Sequence, residues 1–212
     1  MRCFVGLPLP ESYQDGLERV RRQWGPRFAP PLTWTRPGNW HITLAFLGEV
    51  EESQQPDLEQ ALSAVAFAPF TFQAGGAGVF PPQGRPKVLW VGALYGEQAV
   101  AALASEVQQS LIPLGFESDD RPFTTHLTLA RAKRGKSKRH KHTGAKRGAG
   151  DESFQKIPDA NAWQECIAGL GRVEWPPVTM DSFILWRSHL SEAGPRYEPL
   201  ASFGATSESS NG

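Results

Sequence analysis

Two ten-residue stretches of this chain repeat one pattern, "RPGNWHITLA" at residues 36–45 and "RPFTTHLTLA" at residues 121–130. They share Arg, Pro, His, Thr, Leu and Ala at the same positions, and their histidines, His41 and His126, lie 85 residues apart. This spacing is too long for one unit of a solenoid and suits a duplicated half-domain. The repeat therefore predicts one bilobal domain with approximate two-fold symmetry.

The composition is that of a globular protein. The chain has 212 residues, of which 40% are hydrophobic and 21% are charged, so a disordered chain is excluded. The opening "MRCFVGLPLP" interrupts its apolar run with two prolines, and no later run approaches the roughly 18 apolar residues of a membrane span. We therefore expect a cytoplasmic protein without a membrane partner.

Cys3 and Cys166 are the two cysteines of the chain. Two thiols are too few for a disulfide framework, and their spacing is not that of a zinc site. This pattern fits a reducing compartment, and we expect both side chains to be packing residues.

The periodicity of apolar residues predicts strands and helices in mixed order. Strands are expected at 2–9, 41–47, 70–80, 86–94, 178–188 and 196–203, with a short strand inside 29–40, and helices at 11–24, 56–67, 97–111 and 160–170. The last two long strands would form a hairpin across 189–195. This order favours an α+β fold over a purely parallel sheet.

A strongly basic stretch interrupts the predicted domain. Residues 131–147 contain nine of the chain's 22 Lys and Arg residues and no acid. We expect a single domain over 1–204, with a basic loop insertion at about 132–152 and a polar tail at 205–212. The loop has two interpretations, a solvated loop or an electrostatic arm for an RNA backbone, and its charge alone does not separate them.

Strand geometry predicts which motif side chains act together. Alternate residues of a strand share a face, so the His and Thr of each motif point one way and its aliphatic residues the other. If the halves are related by a two-fold axis, the polar faces line one cleft, which brings together His41, Thr43, His126 and Thr128. A single His in a strand is more often a packing residue, but its repetition in register with Thr favours a functional site.

Two facing imidazoles suit acid–base chemistry at phosphorus. Histidine titrates near pH 6.5, so one ring of a pair can be neutral and the other protonated. One ring then deprotonates an attacking water while the other protonates the departing sugar oxygen, and each transfer typically contributes ~10² to 10⁴ in rate. The two Thr hydroxyls can donate to the non-bridging phosphate oxygens. This chemistry requires no metal or cofactor.

The paired motifs "HITL" (41–44) and "HLTL" (126–129) resemble those of the 2H phosphoesterase superfamily, named for two His-x-Thr/Ser-x motifs. Within it they are similar to the RNA 2′,3′-cyclic phosphodiesterase branch, also called 2′-5′ RNA ligase-like. The similarity extends to the segments "RCFVGLPLP", "NWHITLAFLGEV", "FPPQGRPKVLWVG", "LGFESDDRPFTTHLTLAR" and "LWRSHLSEAGPRYEPLASF".

The resemblance implies a bilobal pseudo-two-fold fold, with antiparallel sheets lining a central cleft and helices outside. It implies metal-independent hydrolysis of RNA 2′,3′-cyclic phosphate ends to 2′-phosphomonoesters, with a weak reverse 2′-5′ ligation. His41 would be the proton donor, His126 the proton acceptor, and Thr43 and Thr128 the phosphate ligands. The partners would be RNA ends, tRNA fragments or small cyclic nucleotides, and we expect a monomer.

Other residues are candidates for substrate contacts. Lys87 stands where many relatives are expected to have Arg, which would make a bidentate phosphate contact a point-charge contact. Phe46, Trp40 and Trp90 could stack on a base. Arg131 could contact the substrate phosphate. Unbroken strand alternation, however, turns both Phe46 and Arg131 away from the face that carries the histidines.

Two further hypotheses remain open. The chain could be an RNA-binding module that keeps the fold and binds through its basic loop. Alternatively, the same chemistry could act on small cyclic nucleotides or on linear 2′-5′ linkages, which the sequence does not distinguish from RNA ends.

Deleting the basic loop at about 132–152 separates the enzyme from the binding module. The binding-module hypothesis predicts that RNA affinity disappears on this deletion and survives replacement of both motif histidines by Ala, because phosphate contacts by Lys and Arg dominate such binding. The enzyme hypothesis predicts that turnover of a cyclic nucleotide is lost in the double His variant and retained in the deletion. Fluorescence anisotropy with labelled RNA and a turnover assay on both variants measure the difference.

Overall fold

The computed structural model describes residues 1–28, 32–117, 122–132, 160–190 and 194–206. Its strands and helices alternate along the chain in the mixed order expected from the sequence. The strands are β1 Arg2–Pro8, β2 Thr33–Trp34, β3 His41–Glu49, β4 Phe70–Phe80, β5 Val88–Tyr95, β6 Leu127–Arg131, β7 Val178–Met180, β8 Ser182–His189 and β9 Arg196–Gly204. The helices are α1 Glu11–Trp24, α2 Gln55–Ser63, α3 Glu97–Leu111 and α4 Ala160–Leu170.

Two elements differ from their predicted bounds by more than two residues or by an interruption. Helix α2 ends at Ser63 instead of Phe67, and the Phe67 carbonyl instead accepts a hydrogen bond from the Thr206 amide (2.9 Å) near the end of β9. The strand predicted at 178–188 is interrupted at Asp181, whose carbonyl accepts from the Ala205 amide (2.6 Å). In both places the backbone bonds to the same distant segment, residues 205–206.

The strands form an antiparallel sheet, so the predicted α+β class is confirmed. Its order is β7-β4-β5-β6-β3-β1-β8-β9, and β2 pairs with β6 beside this path. The resulting sheet has helices packed on it, as in α3, whose Gln108 side chain donates to the Leu44 carbonyl of β3 (2.9 Å).

The two motifs lie at the centre of this strand order. Four strands stand on each side of the β6–β3 junction, and each side contains a strand–helix–strand unit, β1-α1-β3 on one and β5-α3-β6 on the other. The two sides meet where Ile42 pairs with Leu127. These residues directly follow the two histidines, so the repeated segments meet each other in antiparallel register.

The aliphatic residues of both motifs lie in the core. Ile42, Leu44, Leu127 and Leu129 are all buried, on the face that the sequence assigned to packing. Removing such side chains from water contributes on the order of 1.5 to 3 kcal/mol each. This burial fixes which face of each strand remains for polar chemistry.

Tyr13 joins the two sides of the sheet beneath the motifs. It is fully buried in α1, and its hydroxyl donates to the Pro176 carbonyl (2.8 Å) and accepts from the Ala74 amide of β4 (2.9 Å). A buried hydroxyl that both donates and accepts a hydrogen bond stabilises the contact between the helix of one half and a strand of the other.

Some sequence predictions fall outside the described residues. These are the basic loop from residue 133 onward and the tail from residue 207, so the boundaries of the 1–204 domain stay a prediction. Among the described residues, no helix is both long and apolar enough to cross a membrane. The two cysteines are buried free thiols, as the sequence predicts.

Replacing Gly6 by Ala should destabilise the fold, because a Cβ at this position in β1 would lie 2.5 Å from the Ile42 carbonyl oxygen. Backbone cannot move aside as a flexible side chain can, so we expect a loss of about 1 to 3 kcal/mol in the free energy of unfolding. Urea denaturation measures it. The matched control is Gly204→Ala in β9, where a Cβ meets nothing within 4 Å. Equal stability of the two variants would contradict the close approach of β1 to β3.

Candidate active site

A cavity of about 130 Å³ opens at the junction of the two halves, and we call it the cleft. It is lined by the four polar motif residues, His41, Thr43, His126 and Thr128. His41 is the first residue of β3, and His126 immediately precedes β6. The structure thus brings together, in a single opening, side chains from two motifs that are far apart in the chain.

The register of the β3–β6 contact explains this arrangement. Because Ile42 pairs with Leu127 in antiparallel sense, continuing the register places His41 opposite Thr128 and Thr43 opposite His126. The two histidines are then diagonal neighbours, which in a sheet are separated by roughly 7 to 8 Å. This spacing refers to the backbone positions, and both side chains line the same opening.

Both imidazoles are held by the same hydrogen bond. The Nδ1 atom of His41 lies 2.8 Å from the Asn39 carbonyl oxygen, and that of His126 lies 2.9 Å from the Thr124 carbonyl oxygen. A carbonyl oxygen only accepts, so Nδ1 carries the proton in each neutral ring and Nε2 is left with the lone pair. Each ring can accept a proton at Nε2 when neutral and donate one from Nε2 when charged.

Burial lowers the pKa of His41 to about 4. Its ring centroid lies 4.6 Å from that of Phe4, 5.2 Å from that of Tyr197 and 5.7 Å from that of Trp186. These rings replace water that would solvate an imidazolium, which makes burial the main cause of the shift. The positive charges of His126 and Arg131 lower the pKa further, and the Asn39 carbonyl acts in the opposite direction.

The pKa of His126 is also lowered, first by burial and then by the charge of Arg131. Its hydrogen bond to the Thr124 carbonyl partly offsets this effect. Both rings therefore favour the neutral form near pH 7 when the cleft is empty.

Phe46 lines the cleft, so the expectation that strand alternation turns it away is wrong. The cause is a β-bulge in β3. Val5 pairs with Ala45 but Gly6 pairs with Thr43, which leaves Leu44 as an extra residue. Leu44 and Ala45 are consequently both buried, and alternation resumes one residue later, with Phe46 70% exposed on the side of the histidine.

Arg131 departs from the expectation in the same way. Leu89 pairs with Ala130 while the next residue, Trp90, pairs with Thr128, so Leu129 is an extra residue in β6. Arg131 then lines the cleft instead of facing away from it. The bulge occupies the same motif position in both strands, and Phe46 and Arg131 are therefore equivalent positions of the two halves.

Three other sequence candidates do not line the cleft. Lys87 is exposed and lies beside the β4–β5 turn, where its amide donates to the Phe80 carbonyl (2.7 Å). Trp40 is buried in the core, which excludes the expected stacking on a base. Trp90 stacks instead on Phe80, with ring centroids 5.2 Å apart.

Several cleft residues were not found from the sequence, among them Trp34, Arg36, Asn39 and Tyr197. Arg36 belongs to the repeated pattern, and that repetition was the one available signal. The β2 segment that carries Trp34 is held on β6, where the amide of the following residue, Thr35, donates to the Leu129 carbonyl (2.8 Å). Tyr197 lies in β9 and belongs to neither repeated motif.

The charge of the cleft is that of an anion site. Its described lining includes Arg36 and Arg131 and contains no Asp or Glu. A cationic wall with hydroxyls and imidazoles favours a phosphate group over a cation. In the described part of the chain, no group of three or more His, Cys, Asp or Glu side chains forms a metal-binding cluster.

Comparison with known proteins also relates this chain to phosphoesterases. Residues 7–90 match the family described as LigT like Phosphoesterase. A protein of Archaeoglobus fulgidus named RNA 2′,3′-cyclic phosphodiesterase is 37% identical over 134 residues, which cover 63% of this chain and 74% of that protein. One of the same name from Aeropyrum pernix is 31% identical over 177 residues, covering 84% of this chain and 88% of that protein.

Solved structures share the fold over nearly the whole chain. TT0787 of Thermus thermophilus superposes with a TM-score of 0.70 at 26% identity, covering 98% of this chain and 100% of that one. E. coli LigT, crystallised with 3′-AMP, gives a TM-score of 0.69 at 22% identity over 97% and 98% of the two chains. The relatives, the matched family and the shared fold together show that this chain belongs to the LigT-like family of 2H phosphoesterases.

Proposed function

We propose that this phosphoesterase hydrolyses RNA ends bearing a 2′,3′-cyclic phosphate to 2′-phosphomonoesters, with His41 as general acid and His126 as general base. The observation that carries the proposal is the pair of imidazoles in one cleft, each with Nδ1 held by a backbone carbonyl and Nε2 left for proton transfer. The RNA substrate is supported by the relatives of the chain, which are named RNA 2′,3′-cyclic phosphodiesterases.

The proposed reaction is one in-line displacement at phosphorus. His126 Nε2 takes a proton from a water molecule as the water oxygen forms a bond to phosphorus. The bond from phosphorus to the ribose 3′ oxygen breaks on the opposite side, and His41 Nε2 gives that oxygen its proton. The products are a 2′-phosphomonoester and a free 3′ hydroxyl. His41 loses one proton and His126 gains one, so the total number of protons on the two rings is unchanged.

Thr43 and Thr128 bind the non-bridging phosphate oxygens in this proposal. Their hydroxyls share the cleft with the histidines, and each stands opposite one histidine in the β3–β6 register. Hydrogen bonds aimed at oxygens whose negative charge grows in the transition state lower the barrier more than they stabilise the bound substrate. Arg131 supplies a full positive charge to the same group.

The substrate itself sets the protonation state that catalysis needs. One ring must be protonated, yet burial and Arg131 disfavour that in the empty cleft. An anionic phosphate between the rings reverses this effect, because an opposite charge nearby stabilises an imidazolium. Burial lowers the pKa of His41, so the protonated ring gives up its proton more readily than an ordinary imidazolium, which suits the donor role given to it.

The finer features of the function remain predictions. They are the choice among RNA ends, tRNA fragments and small cyclic nucleotides, a weak reverse 2′-5′ ligation, catalysis without a cofactor, a monomeric state and a cytoplasmic location. The RNA-binding arm of the alternative hypothesis lies mainly on residues 133–147, outside the described residues. Its first cation, Arg131, is among the described residues and lines the cleft.

Replacing His41 or His126 by Ala should each lower kcat for an oligonucleotide with a 2′,3′-cyclic phosphate end by roughly 10²- to 10⁴-fold, since each removes one proton transfer. Thermal unfolding should show that both variants remain folded. His189→Gln is the matched control, because His189 lies outside the cleft and pairs with Glu198 on the β8–β9 hairpin.

The same assay identifies the product. A 2′-phosphomonoester agrees with departure of the 3′ oxygen, whereas a 3′-phosphomonoester would reverse the assignment of the leaving group. Wild-type turnover by either His→Ala variant would overturn the two-histidine mechanism.

The pKa values generate a separate prediction on pH dependence. In the free enzyme both histidines titrate below 6.5, so raising the pH from 6 to 8 removes the protonated ring and kcat/KM should fall. In the complex the phosphate raises these pKa values, so the falling limb of kcat should lie at higher pH. NMR titration of the imidazole signals, with and without saturating 2′-AMP, measures the same shift without turnover.

Two results would contradict this account of the cleft. One is a His41 pKa at or above the ordinary value of 6.5 in the free protein, since burial would then not control the ring. The other is a pair of histidine pKa values that 2′-AMP leaves unchanged, which would mean that its phosphate does not lie between the rings.

A further inference from the structure

We propose that the Tyr197 hydroxyl is a third hydrogen-bond donor to the substrate phosphate, together with Thr43 and Thr128. This inference rests on the proposed function and adds to it a residue that comes from neither motif. Tyr197 lies in β9, at the far edge of the half of the sheet that contains His41, and it lines the cleft.

The ring of Tyr197 is fixed beside the catalytic pair. Its centroid lies 5.2 Å from that of His41, with the two planes 84° apart, and 4.9 Å from that of Phe4, with the planes 73° apart. Edge-to-face contacts of this kind restrict the orientation of an aromatic side chain. Tyr197 is therefore held against the ring to which the proposed mechanism assigns the donated proton.

The hydroxyl of Tyr197 has no hydrogen-bond partner in the described part of the chain. The contrast with Tyr13 is informative, because the Tyr13 hydroxyl both donates and accepts within the core. Tyr197 is only partly buried, so its hydroxyl stays accessible to a ligand in the cleft. A tyrosine at the wall of an anion site with its hydroxyl uncommitted is suited to donate to a phosphate oxygen.

The electrostatic surroundings of Tyr197 agree with this role. Burial raises its pKa above the ordinary value, while the positive charge of Arg131, which belongs to the other half, lowers it. The phenol thus keeps its proton over the range in which the histidines titrate. Its sensitivity to Arg131 indicates that Tyr197 lies near the charge that would neutralise the phosphate.

His126 also has an aromatic neighbour at a similar angle, Phe80, but a phenylalanine has no hydroxyl. The His126 ring centroid lies 5.1 Å from that of Phe80, with the planes 89° apart. Each imidazole therefore has an aromatic ring nearly perpendicular to it, but in these two pairs a hydroxyl is present only beside His41. The donor is on the side where the leaving oxygen would lie.

Tyr197→Phe tests the proposal, because it keeps the ring against His41 and removes one oxygen atom. We expect kcat/KM for the cyclic-phosphate substrate to fall by roughly 10- to 100-fold and the Kd for 2′-AMP to rise several-fold, as loss of a hydrogen bond to a charged group implies. Isothermal titration calorimetry measures the second quantity without turnover. Tyr95→Phe is the matched control, since Tyr95 is exposed at the end of β5 and outside the cleft.

A second variant separates the hydroxyl from the ring. Tyr197→Leu removes both, so it should also move the NMR-detected pKa of His41, whereas Tyr197→Phe should leave that pKa nearly unchanged in the free protein. If Tyr197→Phe shifts the His41 pKa as much as Tyr197→Leu and leaves 2′-AMP affinity intact, Tyr197 positions the imidazole and the donor role is wrong.

The outcomes also distinguish this inference from the proposed function. Wild-type kcat/KM and 2′-AMP affinity in Tyr197→Phe would overturn the inference and leave the two-histidine mechanism standing. If the wild-type protein failed to hydrolyse the cyclic substrate but Tyr197→Phe still weakened 2′-AMP binding, the phosphate contact would be supported and the proposed function would fail.

Discussion

The backbone pairing of Ile42 with Leu127 is the contact on which the cleft depends. It joins the two halves of the sheet between equivalent residues of the two motifs, so each motif faces its own copy in the opposite direction. A slip of one residue would exchange the buried and open faces of a strand and move a histidine into the core. The burial of Ile42 and Leu127 opposes such a slip, because apolar surface would be exposed in return.

Around this contact the two halves of the sheet share some features and differ in others. The hydrogen bonds that hold the imidazoles are the same in both halves, and so are the bulges after each Thr. The residues beyond the bulges differ, an aromatic ring at Phe46 and a guanidinium at Arg131. Symmetry supplies two imidazoles that are held in the same way, and the differences around them give each ring its own environment.

Most of the secondary structure and the four polar motif residues could be predicted from the sequence, because strand alternation and the repeat are local signals. The bulges could not be predicted, since they depend on how β1 and β5 pair with the motif strands, and for that reason Phe46 and Arg131 were placed on the wrong face. No sequence pattern indicated that Tyr197 would line the cleft either. Its position follows from the pairing of β9 with β8 and of β8 with β1, which is a property of the whole sheet.

The bulges have a consequence for how a substrate is oriented. In the proposed reaction, a pocket with perfect two-fold symmetry would accept a nucleotide in two poses related by a half turn, and one of them would present the wrong ribose oxygen to His41. Because the bulges direct unlike side chains, Phe46 and Arg131, into the cleft, we expect the two poses to differ in binding free energy. A difference of about 1.4 kcal/mol already favours one pose tenfold. The extra residue in each strand thus makes the two halves of the cleft different, so that one orientation of the proposed substrate is favoured over the other.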